Sequence, residues 1–284
     1  MYYEIRHHTL YVYSAPVQLN HQTLRFQPHT DADQRLLRFD VTVDPRPAGM
    51  TDLSDLDGNH ATVAWFSGET TRFNVEATSV VETLRPNPFD YVWQGDMSLP
   101  LKYSGAYLEA LGPYMARMAA PEVREIGEGV AKQVDGRAQT FLYQLMADLH
   151  QRFSRIVRPV GEPHDPLETL RRGEGSCRDL TVLYLAIARS QGFAGRFVSG
   201  YYAPSHSEDD RYDLHAWPEI YVPGGGWRGF DPTIGLAVAD RHIGVAVGAL
   251  SQQASPVSGT YAGSASSTLE TYVTITEMES MPAR

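Results

Sequence analysis

The hydrophobic pattern of this chain changes period once, and that change divides what it can fold into. From residue 2 to residue 84 the period is two. Tyr3, Ile5, His7, Thr9, Tyr11 and Tyr13 share one parity, and Leu37, Phe39, Val41 and Val43 alternate with Arg38, Asp40 and Thr42. Successive strand residues point to opposite faces, so this pattern suits half-buried strands. Further extended runs cover residues 20–26, 60–66 and 70–84, and Asp57-Gly58-Asn59 reads as a hairpin turn. Pro16, Pro28, Pro45 and Pro47 punctuate the set, with Pro16 expected to end the first strand. The pattern predicts an antiparallel β-sandwich over residues 1–85. Its histidines (His7, His8, His21, His29, His60) lack metal-ligand spacing and are expected on the surface or on sheet faces.

A linker over 86–103 opens with Arg85-Pro86-Asn87-Pro88, and the period then becomes helical. Leu108, Leu111, Met115 and Met118 fall at helical spacing. Pro121 can start a helix, with Glu122 and Glu125 in its first turn. Phe141, Leu142, Leu145, Met146 and Leu149 form an apolar stripe. Asp165-Pro166-Leu167-Glu168 is a cap and helix start. Leu180 to Ala188 is apolar nearly all round, which predicts a buried central helix ended by Gly192. Strands are expected at 193–202, 214–222, 227–230, 243–247 and 271–276, with loops at 205–211 and 258–267. The fold class is therefore α+β, with a core over residues 104–284 that packs helices on an antiparallel sheet and ends in a C-terminal β segment.

A net charge of −10 argues against wholesale nucleic-acid binding. Cys177 is the only cysteine, so no intrachain disulfide and no Cys-x-x-Cys site can form. With no signal-peptide pattern and no apolar run of membrane length, a cytoplasmic location without membrane contact is expected.

Cys177 lies in Gly173-Glu174-Gly175-Ser176-Cys177-Arg178-Asp179, between a flexible turn and the buried helix. A helix N-terminus carries partial positive charge, which lowers a thiol's pKa toward the reactive thiolate. A thiol nucleophile needs a base, and the base an orienting group. His215 starts one strand of a predicted hairpin and Asp231 ends the other, so pairing through Gly224-Gly225-Gly226 would set them side by side. Asp213 and Asp179 are rival orienters. Asp179 suits the first turn of the helix and would oppose a thiolate so close to Cys177. The Cys177 backbone N–H is a candidate oxyanion donor. Trp217 and Trp227 are candidate cleft walls, with core packing as their competing role.

Four segments together resemble the transglutaminase-like superfamily. They are Gly175-Ser176-Cys177-Arg178-Asp179, Phe197-Val198-Ser199-Gly200-Tyr201-Tyr202, His215-Ala216-Trp217-Pro218-Glu219-Ile220-Tyr221-Val222-Pro223 and Gly226-Trp227-Arg228-Gly229-Phe230-Asp231-Pro232-Thr233. The N-terminal strands, with Leu24-Arg25-Phe26 and Asp57-Gly58-Asn59, resemble the β domain that precedes this core in bacterial transglutaminase-like cysteine peptidases. The resemblance implies a papain-like α+β core and a Cys177–His215–Asp231 triad. It implies acyl transfer from an amide or peptide bond through a thioester, by analogy hydrolysis more than glutamine transamidation. The expected partners are a peptide or protein substrate and possibly an amine acceptor, with no metal and no cofactor. A non-catalytic protein-binding module is the alternative of another class.

Overall fold

The computed structural model describes residues 1–115, 119–158, 160–204 and 213–280. Its first strands are β1 (Tyr2–Leu24), β2 (Gln34–Asp44), β3 (Gly49–Ser54), β4 (His60–Trp65) and β5 (Thr70–Thr83). The predicted alternation is present: Tyr3, Ile5, His7 and Thr9 are buried on one face of β1. The hairpin turn at Asp57-Gly58-Asn59 joins β3 to β4, with Gly58 at φ 83°.

Contrary to expectation, Pro16 does not end the first strand. β1 runs through it, and its pairing with β5 shifts register between Val12 and Val17. A proline has no N–H for a ladder, so it is tolerated where the ladder is interrupted. That interruption lets β1 change partners within the first sheet, whose order is β2-β5-β1-β4-β3. Its first half pairs with β5, and its second half pairs with β4 through Gln22, Thr23 and Leu24.

After the linker come α1 (Ala106–Leu111), α2 (Pro121–Gln133), α3 (Ala138–Arg152), β6 (Ser154–Arg155), α4 (Pro166–Arg172), β7 (Glu174–Gly175) and α5 (Cys177–Ser190). Met118 of the first predicted stripe lies outside the described residues; α1 ends at Leu111 and gives way to a short 3₁₀ turn. The Asp165 carboxylate accepts the Leu167 N–H at 2.9 Å, capping α4 as its sequence predicts. The α3 stripe is buried along its length, as is most of α5. Burial of each such side chain is worth roughly 1.5–3 kcal/mol, so packing rather than helix propensity holds these elements.

The second sheet has the order β11 (Leu236–Ala237), β10 (Gly226–Asp231), β9 (His215–Val222), β8 (Gly195–Tyr202), β12 (His242–Gly248). All its pairings are antiparallel, and α5 packs across β8 and β9. The predicted loop over 205–211 lies outside the described residues.

The end of the chain departs most from its sequence reading. The segment expected as a loop over 258–267 contains β13 (Val257–Ala262) and the start of β14 (Ser267–Met278). Both pair with β1: Gln18 with Ala262, and Thr9 with Thr271. Serine, glycine and alanine carry little strand preference alone; here the long first strand supplies the template.

Gly192, just beyond α5, has φ 88°, and a methyl group there would collide with the Leu101 carbonyl oxygen. Gly192→Ala is expected to destabilise the fold by roughly 2–3 kcal/mol from left-handed strain plus the clash, read as a lower thermal unfolding midpoint.

Candidate active site

Cys177 begins α5, and its position is set by a tightly bonded turn. The Asp179 carboxylate is fully buried and accepts the Ser176 N–H and Ser176 hydroxyl, each at 2.7 Å. It also accepts Arg158 at 2.6 Å and the His164 N–H at 2.7 Å. Burial pushes this acid up, but the His164 and Ser176 hydrogen bonds and the Arg158 charge hold it below the usual carboxylate range. Its lone pairs are committed to the turn, so Asp179 is not an orienter of His215. Asp213 lines the cleft without a hydrogen bond to His215 among the described residues.

The structure brings Cys177, His215 and Asp231 together. His215 Nε2 donates to Asp231 Oδ2 at 2.5 Å, and the Cys177 side chain neighbours the same imidazole. His215 starts β9 while Asp231 ends β10, so hairpin pairing sets them at one end of the sheet. Asp231 Oδ1 accepts the Thr233 N–H at 2.9 Å.

The electrostatics favour a charged pair. Burial pushes the Cys177 thiol up, but the hydrogen bond and charge of His215, aided by Arg178, bring it below its ordinary value. Burial pushes His215 down; the Asp231 carboxylate and Cys177 outweigh it and raise the imidazole to about 10. Burial raises Asp231, and His215 overcomes this to hold its carboxyl far below the usual range. The stability consequence has a definite sign. The depressed acid stabilises the fold above its unfolded value near 3.9 and loses that contribution as pH falls. The raised imidazole stabilises below about 6.5 and loses its contribution as pH rises through about 10. Asp231→Asn is therefore expected to cost roughly 3 kcal/mol near pH 6 and progressively less toward pH 10, measured by urea unfolding across pH.

One member of the cluster carried no sequence signal. His242, at the start of β12, lies 3.2 Å through Nε2 from the same Asp231 Oδ2. Burial lowers its pKa despite the pull of Asp231. A buried neutral histidine beside a carboxylate donates through Nε2, which makes it a third donor to Asp231. The ligand-type atoms of His215, Asp231 and His242 lie within 4.8 Å of one another, close enough to be tested against a metal site. The His215–Asp231–His242 contacts already use Nε2 and Oδ2, so a cation would have to displace both hydrogen bonds.

The triad opens into a cleft of about 480 Å³ with walls from both sheets. One wall carries Tyr11 of β1 and Leu269 and Thr271 of β14; another is formed by residues 155–158 and 160–163. At its base His7 meets the Tyr201 hydroxyl at 3.0 Å and Thr271 Oγ1 at 3.1 Å, tying the first sheet to the second. Burial lowers His7 to about 3, so it is neutral.

Neither tryptophan lines this cleft, which corrects the expectation for both. Alternation along β9 places Ala216 and Ile220 against the helices and Trp217 on the reverse face, with Val198 and Val247. Trp227 packs on Tyr114 and Tyr221, beneath the Arg196 guanidinium.

Comparison with known proteins agrees with this architecture. Residues 3–82 match the bacterial transglutaminase-like N-terminal region, and residues 126–232 match the transglutaminase-like superfamily core, a span holding all three triad residues. The chain belongs to the transglutaminase-like superfamily. An uncharacterized Mycobacterium leprae protein is 27% identical to this transglutaminase-like chain over 278 residues, covering 96% of it and 97% of the relative. An uncharacterized Mycobacterium tuberculosis protein is 24% identical, covering 98% and 93%. Among solved structures, a "putative cysteine protease" from Cytophaga hutchinsonii superposes with a TM-score of 0.72 at 18% identity, covering 99% of this chain and 93% of that one. That likeness extends the shared transglutaminase-like fold through both sheets. No helix among the described residues is long and apolar enough to cross a membrane.

Proposed function

We propose that the protein is a cysteine-dependent acyl-transfer enzyme that opens amide or peptide bonds through a thioester, with water as the preferred acceptor. The observation that carries this reading is the convergence of Cys177, His215 and Asp231, with the 2.5 Å His215–Asp231 hydrogen bond, a depressed thiol and a raised imidazole, at the base of an open cleft.

In the reaction, the Cys177 thiolate attacks the carbonyl carbon and charge moves onto the carbonyl oxygen. The first N–H groups of a helix have no partner within it, so the Cys177 backbone N–H can meet that oxygen. As the C–N bond breaks, the His215 imidazolium gives its proton to the leaving amine, and a thioester remains on Sγ. Water then attacks the thioester while neutral His215 takes its proton. The carboxylic acid leaves and the thiolate–imidazolium pair is restored. Asp231 holds the ring orientation and favours the imidazolium, while Thr233 and His242 hold Asp231.

An amine replacing water would give transamidation. Product analysis separates the two: with a glutamine-containing peptide and a labelled primary amine, hydrolysis yields free acid and ammonia, whereas transamidation incorporates the label. The expected product is mainly acid. Predominant incorporation would overturn the preference for water, and no product from any amide or peptide would favour a binding module.

A further inference from the structure

The cleft has a charge pattern opposite to that of the chain. The whole protein carries 24 basic against 34 acidic residues, yet three arginines, Arg155, Arg158 and Arg178, line the cleft against two acids, Glu162 and Asp213. The three are not equivalent. Arg158 is committed to buried Asp179 and to the Glu162 carbonyl. Arg178 makes one hydrogen bond among the described residues, from Nη2 to the Arg158 carbonyl at 2.6 Å, and its buried Nε has no partner. Arg155 is exposed and has neither hydrogen bond nor ion pair among the described residues.

Arg155 is nevertheless held close to the nucleophile turn. It belongs to β6, which pairs in parallel with β7: Arg155 lies opposite Gly175, and the Ile156 N–H bonds the Gly175 carbonyl at 3.1 Å. Gly175 is two residues before Cys177, and Arg178 follows Cys177 directly. Two guanidinium groups without an acidic partner thus flank the nucleophile in one cleft. Of the facing acids, Glu162 accepts the Gln252 amide at 3.1 Å, and Asp213 is on the other side, beside β9. Guanidinium matches a carboxylate as a planar fork, and a cleft focuses the field of its lining charges.

We propose, resting on Cys177 as the acyl-transfer nucleophile, that the substrate is an acidic peptide, with a carboxylate near the scissile carbonyl held by Arg155 and Arg178. The apolar wall of Tyr11 and Leu269 covers the rest of the bound chain.

The test measures binding to a Cys177→Ala protein, which cannot turn substrate over. Three fluorescent, end-capped peptides differ only in one Glu, Gln or Lys beside a common amide bond, and polarisation is read at low and moderate salt. The Glu peptide is expected to bind about tenfold tighter than the Gln peptide, as for one charge-assisted hydrogen-bonded contact, and to weaken as salt rises. Arg155→Gln should remove that preference, and Arg155→Glu should turn it toward the Lys peptide. Arg155 is exposed and unbonded, so both variants should fold. Equal affinities, a Lys preference in the parent, no binding of any peptide, or an Arg155→Glu protein that still prefers Glu would overturn the proposal. A Glu preference in the Cys177→Ala protein, alongside a wild-type protein that forms no adduct with the same peptide, would leave the acidic site standing and remove the acyl-transfer reading.

Discussion

Replacing Cys177 by alanine lowers amide turnover by roughly 10⁴-fold or more, the scale seen when a covalent nucleophile is removed from a triad. The loss is large because the other groups act through the thiol. His215 has no proton to exchange with a methyl group, and the helix N-terminus has no developing charge to stabilise. Cys177→Ser fares nearly as badly: an ordinary hydroxyl is ionised far less readily than a thiol, and the resting ion pair would be lost. The alanine variant should keep its fold, because the turn is built by Asp179, Ser176 and Arg158 rather than by the sulfur. Steady-state kinetics with one peptide, alongside thermal unfolding, checks both statements. Turnover within tenfold of wild type would remove Cys177 from the chemistry.

The second large effect belongs to His215. In the wild type, alkylation by iodoacetamide should follow a thiol pKa below the usual value near 8.5. His215→Ala removes the hydrogen bond and positive charge that oppose burial at Cys177. Burial remains, so the thiol should then titrate above its ordinary value, and turnover should fall by about 10²–10⁴-fold for loss of the general acid and base. The pH–rate profile of the wild type should be bell-shaped. Its acid limb follows loss of the thiolate and its alkaline limb loss of the imidazolium, the latter near 10. An unchanged alkylation profile in His215→Ala would dissociate the imidazole from the thiol.

What could be read from residues alone follows physical locality. Cys177, His215 and Asp231 stand at a helix start and at strand ends, where glycines, a capping serine and a proline mark the turns. Their approach needs only one hairpin and the packing of α5 on it. His242 left no such trace. It reaches Asp231 at the start of β12, five residues after β11, which pairs with β10 at Asp231 itself, a return of the chain that no spacing announces. The same limit hid β13 and β14. Their serine-, glycine- and alanine-rich start looks like a loop until a 23-residue first strand is present for it to pair with. Pro16 misled for a related reason: its missing N–H falls where the ladder is already interrupted. The tryptophans failed on position along the strand: Trp217 shares its parity with His215, two residues before it, yet packs on Val198 and Val247 away from the cleft lining.

These errors change the picture of the cleft. One of its walls comes from β1 and β14 of the first sheet, so the shape of the cleft is set by these strands as well as by the core.

Acyl transfer through Cys177 is tested most directly by the mass of the protein after a brief reaction with an activated peptide amide, quenched in acid. The mass should increase by the acyl part alone, without the leaving amine, on the proteolytic fragment that contains Cys177. The adduct should be removed by hydroxylamine and be absent from Cys177→Ala. Turnover without any such adduct, or the same adduct on the Cys177→Ala protein, would contradict it.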